Sequence, residues 1–150
     1  MDIMTTLTPY LTFPGTAEQA LQLYAQALGG QILFVQRFGD MPGGAQPGQD
    51  PNHVLHAEFV AEGVRLLVSD GADVPTGPEA RTYLSLDFTD GDKIDNVFAQ
   101  LSEGGQVQMP LQDTFWNARF GICTDRYGIA WMCNHDKAPK EAGQPETLMA

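Results

Sequence analysis

The chain has 150 residues, 43% of them hydrophobic and 18% charged, which suits one compact domain, or two half-domains that share a core, and excludes a disordered chain. Its net charge of −11 disfavours nucleic acid and anionic membranes as partners. The N-terminus has no basic start followed by an apolar run, and two cysteines, Cys123 and Cys133, are too few for a disulfide framework. We therefore expect a cytoplasmic protein with reduced thiols.

The first half of the chain is predicted to form a strand, a helix and three further strands. Tyr10–Phe13 is the opening strand. Apolar residues recur at helical spacing from Ala17 to Leu28, with a capping box at Thr16–Gln19 and Gly29-Gly30 at the end. Three apolar stretches follow as predicted strands: Gln31–Phe38, Val54–Val60 and Val64–Ser69. The Gly- and Pro-rich loop between the first two, Gly39–Pro51, is predicted to be a lid or a mobile segment.

The second half repeats this order. Polar and apolar residues alternate from Tyr83 to Phe88, which predicts a strand with Tyr83, Ser85 and Asp87 on one face. A helix with one apolar side follows, and Asp90 or Asp92 can cap its start. The remaining predicted strands are Gln106–Leu111, Arg119–Thr124 and Ile129–Asn134. We divide the chain into unit 1 (about residues 7–70), a linker (71–79), unit 2 (about 80–135) and a polar tail (136–150).

Short sequence echoes indicate a duplication. Tyr10-Leu11-Thr12-Phe13 is echoed by Tyr83-Leu84-Ser85-Leu86, and Gly29-Gly30-Gln31-Ile32 by Gly104-Gly105-Gln106-Val107, at offsets of 73 and 75 residues. We predict an α+β fold of two tandem βαβββ units, each a curved mixed sheet. One helix covers one face of a sheet, so the other face needs burial or a ligand, and two units together can enclose a cavity.

Two stretches of the sequence resemble a known family. The opening Thr8-Pro9-Tyr10-Leu11 and the motif Asp113-Thr114-Phe115-Trp116-Asn117-Ala118-Arg119-Phe120-Gly121 look like PhnB-like proteins of the vicinal oxygen chelate superfamily. This superfamily includes glyoxalase I, bleomycin-binding proteins and extradiol dioxygenases. The resemblance covers about residues 7–135 and implies the glyoxalase/bleomycin-resistance fold. Superfamily relatives pair their units within one chain or across two, and we expect a homodimer.

The resemblance also implies where a metal would lie. Enzymes of the superfamily usually hold a divalent metal with His, Gln or Glu side chains from the first and last strand of each unit. This sequence has poor ligands at those places: Pro9 or Tyr10, Leu67 or Val68, Tyr83, and Met132. We therefore expect no resident metal. If one is present, we place a divalent cation near His56 and Glu58.

The same two residues, His56 and Glu58, are candidates for ligand binding. They share one face of a predicted strand, while Leu55, Ala57 and Phe59 share the other. A histidine beside a carboxylate can be a general base with one ring nitrogen held by a partner. It can equally be a hydrogen-bonded histidine of a sheet, and the sequence leaves both interpretations open.

Five further candidates lie in the second half. Trp116 and Arg119 can stack on a flat ligand and bind its anionic group, or Trp116 can cap the core while Arg119 pairs with Asp113 or Asp125. Tyr83 and Ser85 can donate hydrogen bonds to a ligand or form cross-strand pairs. Trp131 is predicted to lie in the core or in a cavity wall.

Two classes of function remain. The first is a metal-independent protein that binds a metabolite or an antibiotic-like small molecule. The second is a metal-dependent lyase or dioxygenase of the glyoxalase type, which acts on vicinal oxygens through nonstandard ligands. The sequence has no strand, glycine-rich turn and helix of the kind that binds S-adenosylmethionine. The poor metal ligands favour the binding protein.

Overall fold

The computed structural model describes residues 6–71 and 82–137. The chain divides into two compact units between residues 76 and 77. The predicted linker lies almost wholly outside the described residues, and so does the predicted tail beyond residue 137.

Unit 1 forms one four-stranded sheet with one helix. Its elements are β1 (Tyr10–Phe13), α1 (Ala17–Leu28), β2 (Gln31–Arg37), β3 (Val54–Ala61) and β4 (Val64–Asp70), with a short 3-10 turn at Phe38–Asp40 after β2. The strand order in this sheet, called sheet 1, is β1-β4-β3-β2. Only β1 and β4 are parallel neighbours, because α1 carries the chain across the sheet to the opposite edge strand β2, and two antiparallel pairings then bring β4 back beside β1.

Unit 2 has the same architecture. Its elements are β5 (Leu84–Asp87), α2 (Gly91–Ser102), β6 (Gln106–Asp113), β7 (Ala118–Thr124) and β8 (Ala130–Asp136). The order in sheet 2 is β5-β8-β7-β6, again with one parallel pair, β5 and β8. The prediction of two βαβββ units is confirmed. Individual strand ends differ from the predicted ones by one or two residues, and Phe38 lies in the 3-10 turn rather than in β2.

Glycines after each helix reflect the duplication. An added Cβ at Gly30 would clash with the carbonyl oxygen of Val60, and one at Gly105 would clash with that of Thr124. In each unit the chain therefore leaves the helix in close contact with the backbone of a neighbouring strand. This close approach explains why both units have glycine at the equivalent position.

Helix α1 covers one face of sheet 1. Ala17 at its start donates to Asp70 of β4, and the end of the helix lies against the ring of Phe59. Side chains in phase with these two are buried: Leu11, Phe13, Ala57, Leu66 and Val68. The opposite side, here called the helix-free face of sheet 1, carries Tyr10, Thr12, Phe34, Gln36, His56, Glu58, Arg65, Leu67 and Ser69.

Helix α2 covers sheet 2 in the same way. A Cβ at Gly121 of β7 would lie 2.9 Å from the ring of Phe98 in α2, and Arg119 of β7 pairs with Asp95 of α2. Residues of β7 in phase with these face the helix. The helix-free face of sheet 2 therefore carries Ser85, Asp87, Phe120, Ile122, Met132 and Asn134.

The start of α1 differs from the sequence prediction. Thr16 precedes the helix, but its side chain makes no capping hydrogen bond, so the predicted capping box is wrong. Asp70, which is 7% exposed, accepts hydrogen bonds from the backbone N–H of Ala17 and of Val54, both at 2.9 Å. One buried carboxylate thus joins the start of the helix to the start of β3 and the end of β4. In unit 2 the predicted cap is confirmed, because Asp90 accepts from the N–H of Asp92.

Asp70→Asn is expected to lower the free energy of unfolding by about 1–3 kcal/mol, because one buried backbone donor loses its acceptor and the helix start loses a negative charge. Urea unfolding followed by circular dichroism measures this difference. The matched control is Glu62→Gln in the exposed turn between β3 and β4, which should change stability by less than about 0.5 kcal/mol. Equal stability of Asp70→Asn and the control would contradict this role of Asp70.

Candidate functional site

The helix-free face of sheet 1 places chemically active side chains in rows across the strands. One row runs Tyr10, Leu67, Glu58 and Phe34, which are neighbours in register from β1 through β4 and β3 to β2. In the next row Thr12 pairs with Ser69 of β4, and His56 of β3 pairs with Gln36 of β2. Hydroxyl, amide, imidazole and carboxylate groups therefore lie between two aromatic residues on the outer strands.

His56 contacts both aromatic residues. Its ring centroid lies 5.8 Å from that of Tyr10 in a stacked arrangement and 5.5 Å from that of Phe34 in a tilted one. The Tyr10 hydroxyl lies 3.3 Å from Nδ1 of His56. Tyr10 and Phe34 are 51% and 44% exposed. This aromatic cluster can therefore stack on a ligand while the imidazole and phenol groups exchange hydrogen bonds with it.

An ion pair lies on the same face. Arg65 Nε donates to Glu58 Oε2 at 2.5 Å, and Arg65 Nη1 donates to the Thr8 hydroxyl at 3.2 Å. The Glu58 side chain is 18% exposed and that of Arg65 51% exposed. Glu58 shares a face with His56, as the sequence predicts. Its carboxylate, however, is engaged by Arg65.

Tyr83 and Ser85 lie at the first strand of unit 2, as Tyr10 lies at the first strand of unit 1. Ser85 of β5 is exposed on the helix-free face of sheet 2, beside Met132 of β8 in register. Tyr83 immediately precedes β5 and is 39% exposed. Two positions further along, Asp87 accepts a hydrogen bond from Asn134, which is a cross-strand polar pair of the kind the sequence left open.

Trp116 and Arg119 are held by different neighbours. Trp116 lies edge-on to Phe115 at 4.8 Å and tilted to Phe120 at 6.4 Å. Arg119 faces α2, where Nη2 and Nε donate to Asp95 Oδ1 at 2.7 and 2.9 Å. Its contact with Asp113 is longer, at 3.4 Å. The hydrogen bonds that Arg119 donates to Asp95 raise the pKa of the guanidinium above its ordinary value.

This geometry favours a structural role for Arg119, because the guanidinium joins β7 to α2 through Asp95. The sequence correctly offered Asp113 as a partner but missed Asp95, which is the closer one. Trp131 is also in the core: it is 1% exposed, and its indole N–H donates to Asp125 at 2.9 Å.

Sequence reasoning missed three members of the face, Tyr10, Phe34 and Arg65, as ligand-binding candidates. The repeat pairs Tyr10 with Tyr83, and because Tyr83 is a ligand-binding candidate, this pairing could have identified Tyr10 as one too. Phe34 and Arg65 gave no local signal, because their importance comes from cross-strand neighbours, His56 and Glu58.

The residues present do not fit a resident divalent metal. Within residues 6–71 and 82–137, no three His, Cys, Asp or Glu side chains are grouped as metal ligands. Of the positions that the resemblance implies, Tyr10 lies opposite Leu67, Tyr83 immediately precedes β5, and Met132 lies opposite Ser85, which is not one of them. Leucine has no donor atom and methionine sulfur is a soft ligand, so this donor set is unsuited to a hard cation.

The two cysteines are free and buried on adjacent strands. Cys123 lies opposite Trp131, and Cys133 lies opposite Gly121, so the thiols are diagonal neighbours on the helix-facing side of sheet 2. Burial raises the pKa of Cys123 from 9.0 to about 11, with a further contribution from the Asp125 charge. Burial and the nearby Cys123 raise that of Cys133 to about 12.

We expect both thiols to react slowly in the native protein. At pH 8 a thiol with a pKa of 11 has about a hundredfold less thiolate than one with a pKa of 9. Titration with Ellman's reagent should find two thiols that react rapidly in urea and slowly without it. The free energy of unfolding should also fall as the pH rises from about 9 to 11, because the unfolded thiols ionise first. Rapid reaction of the native protein would contradict this.

Comparison with known proteins identifies the family. The family described as 3-demethylubiquinone-9 3-methyltransferase matches residues 5–133. A PhnB protein of this description from Bacillus cereus is 25% identical, with a TM-score of 0.74 over 87% of this chain and 99% of that one. The chain is a PhnB-like member of this family.

Two further relatives agree with this assignment. The Escherichia coli K12 protein YjdN is 31% identical to the PhnB-like chain over 139 residues, which are 85% of this chain and 93% of YjdN. The crystal structure of PA1353 from Pseudomonas aeruginosa is 37% identical, with a TM-score of 0.77 over 88% of this chain and 98% of that one. The resemblance seen in the sequence is therefore confirmed.

The fold is shared more widely. A glyoxylase/bleomycin resistance protein/dioxygenase domain from Frankia is 14% identical, with a TM-score of 0.62 over 95% of this chain and 96% of that domain. This similarity confirms the predicted glyoxalase/bleomycin-resistance fold. In the described part of the PhnB-like chain, no helix is long and apolar enough to span a membrane.

The family description implies a methyl donor, and the residues described here do not fit one. S-adenosylmethionine sites of the doubly wound type need a parallel sheet and a glycine-rich turn that leads into a helix. Each sheet of the PhnB-like chain has a single parallel strand pair. The turn before α1 accommodates Gly15 against the ring of His53. We derive no methyl-transfer step from this structure.

Proposed function

We propose that the PhnB-like chain is a metal-independent binding protein for a planar small molecule, a metabolite or an antibiotic-like compound, and that its site is the helix-free face of sheet 1. The observation that supports this most is the aromatic cluster of Tyr10, His56 and Phe34, with both outer rings about half exposed. Stacking between aromatic rings and hydrogen bonds from a few fixed polar groups are what binding of a flat ligand needs.

The duplication supports this choice of unit. Val60 and Arg65 are register partners beside Gly30 in unit 1, as Thr124 and Ala130 are beside Gly105 in unit 2. This alignment places Phe120 where unit 1 has His56, and Ile122 where it has Glu58. Unit 2 forms the same fold without ionisable groups at these positions, so the fold does not require them. We attribute His56 and Glu58 to ligand binding instead.

The other sequence candidates have different standing in this proposal. We retain Tyr83, Ser85 and Trp116 only as candidate contacts on unit 2 itself, outside the proposed site on sheet 1, because each is at least partly accessible. We do not include Arg119 and Trp131, because Arg119 is paired with α2 and Trp131 is buried against Asp125. We further propose a cytoplasmic protein without nucleic acid or membrane partners, and one domain made of unit 1 (7–70), the linker (71–79), unit 2 (80–135) and the tail (136–150).

Binding of 2-naphthoate, measured by isothermal titration calorimetry, tests the proposed site. Wild-type protein should bind, and His56→Ala and Phe34→Ala should each weaken binding about tenfold, since each removes a ring contact worth roughly 1 kcal/mol or more. The matched control is Phe115→Ala, an aromatic residue of unit 2 that is 94% exposed, which should bind as wild type does.

Two outcomes would reject this function. Absence of binding by folded wild-type protein would remove the proposed site, as would equal affinity of His56→Ala and wild type. A separate measurement distinguishes the metal-dependent alternative: EDTA should leave the melting temperature unchanged, and elemental analysis should find less than one metal per chain. About one metal per chain with a fall in melting temperature on chelation would favour the lyase or dioxygenase.

We also propose a homodimer. β2 is an edge strand of sheet 1, and Ile32 and Leu33 on it are 36% and 53% exposed. An uncovered edge with apolar side chains is suited to association with a second copy. Light scattering should give about twice 16.3 kDa, and Leu33→Glu should shift the mass toward the monomer. A monomeric wild-type protein would overturn this proposal.

A further inference from the structure

Unit 1 has few groups that could bind an anion. Among residues 6–71, the only Lys or Arg residues are Arg37 and Arg65. Both terminal nitrogens of Arg37 donate to Glu18, at 3.2 and 2.7 Å, and Nη1 also donates to the carbonyl oxygen of Asn52 at 2.7 Å. Arg37 therefore joins the loop after β2 to helix α1. Arg65 is the remaining cation, and it lies on the helix-free face.

The neighbours of Arg65 hold its guanidinium while leaving donors unused. Glu58 accepts from Nε and Thr8 accepts from Nη1. A guanidinium has five N–H donors, and the described residues provide acceptors for two of its nitrogens only. Because the guanidinium is planar, fixing Nε and Nη1 also fixes the position of Nη2. An oriented guanidinium is well suited to bind the two oxygens of a carboxylate or a similar oxyanion.

The distance from Arg65 to the aromatic cluster suits the length of a planar ligand. Arg65 is two residues from Leu67 in β4, and Leu67 is the register neighbour of Tyr10. Residues two apart on a strand are about 7 Å apart, which is about the length of a bicyclic aromatic ring system. A ring stacked on Tyr10 and His56 could therefore extend its substituent toward Arg65.

Comparison of the two units shows whether the fold requires a cation at the position of Arg65. The strand alignment that places Phe120 at the position of His56 places Ala130, the register partner of Thr124, at the position of Arg65, the register partner of Val60. Alanine carries no charge and its side chain donates no hydrogen bond. The hairpin of unit 2 forms without the cation. The charge in unit 1 is therefore not a requirement of this hairpin.

We infer that Arg65 is the anion-binding group of the site, so that the ligand is a planar aromatic compound with a carboxylate or another oxyanion. This inference rests on the proposed function, because it assumes a ligand stacked on the aromatic cluster. Glu58 orients Arg65 through Nε and also reduces the local positive charge. Replacing Glu58 by Gln keeps an acceptor for Nε while removing the competing carboxylate, and should strengthen binding of an anion.

A matched pair of probes tests this inference: 2-naphthoate and 2-naphthalenemethanol, which share the ring system and differ in charge. Wild-type protein should bind 2-naphthoate at least about fivefold more tightly, an effect suited to a partly exposed charged hydrogen bond. Arg65→Gln should remove this preference and leave the affinity for 2-naphthalenemethanol unchanged. Glu58→Gln should increase the preference. Arg37→Gln is the matched control and should keep the wild-type preference.

The outcomes separate the inference from the proposed function. Equal binding of both probes by the wild type, with loss of both in His56→Ala, would overturn the anion site and keep the binding function. Binding of neither probe would overturn both. An undiminished preference in Arg65→Gln would overturn the role of Arg65. Circular dichroism and melting temperatures of each variant identify loss of folding, and Arg65→Lys, which keeps the charge but not the planar fork, provides a second variant that should retain part of the preference.

Discussion

Each unit has a single helix to cover a four-stranded sheet, and this constraint determines the character of most strand residues. Residues in phase with the helix are buried and apolar, as Phe13, Phe59 and Val68 are in unit 1. Residues out of phase cannot be buried by the unit's own helix. The face that contributes least to the core of a unit is thus the face on which hydroxyl, imidazole and carboxylate groups are placed at low energetic cost.

On the helix side of sheet 1, buried backbone N–H groups need acceptors, and the buried carboxylate of Asp70 provides them. Its two hydrogen bonds join the end of β4 to the starts of α1 and β3, which lie 53 and 16 residues away in the sequence. A local cap at Thr16 looks sufficient in the sequence, but the acceptor for the N–H of Ala17 is Asp70, which lies 53 residues beyond Ala17. Local patterns therefore predict that a helix begins near Ala17, and tertiary structure decides which side chain satisfies its first donors.

The same distinction explains how far the sequence predicts the site. The order of elements and the duplication follow from periodicity and echoes, and the shared face of His56 and Glu58 follows from strand alternation. The hydrogen-bond partner of each polar group does not follow from the sequence. Arg119, for example, pairs with Asp95, which lies 24 residues earlier in a helix. Alternation tells which residues share a face, but only packing tells which face meets the helix.

Because the two units have the same fold, residues at equivalent positions of unit 1 and unit 2 can be compared directly. Unit 2 folds with Phe120, Ile122 and Ala130 at the positions that the strand alignment assigns to His56, Glu58 and Arg65 of unit 1. An imidazole and an ion pair on a sheet face add little stability when they are partly exposed, so folding alone gives weak reason to keep them. The asymmetry between equivalent positions, rather than the fold or the family's description, is what supports our proposal that the ligand binds unit 1.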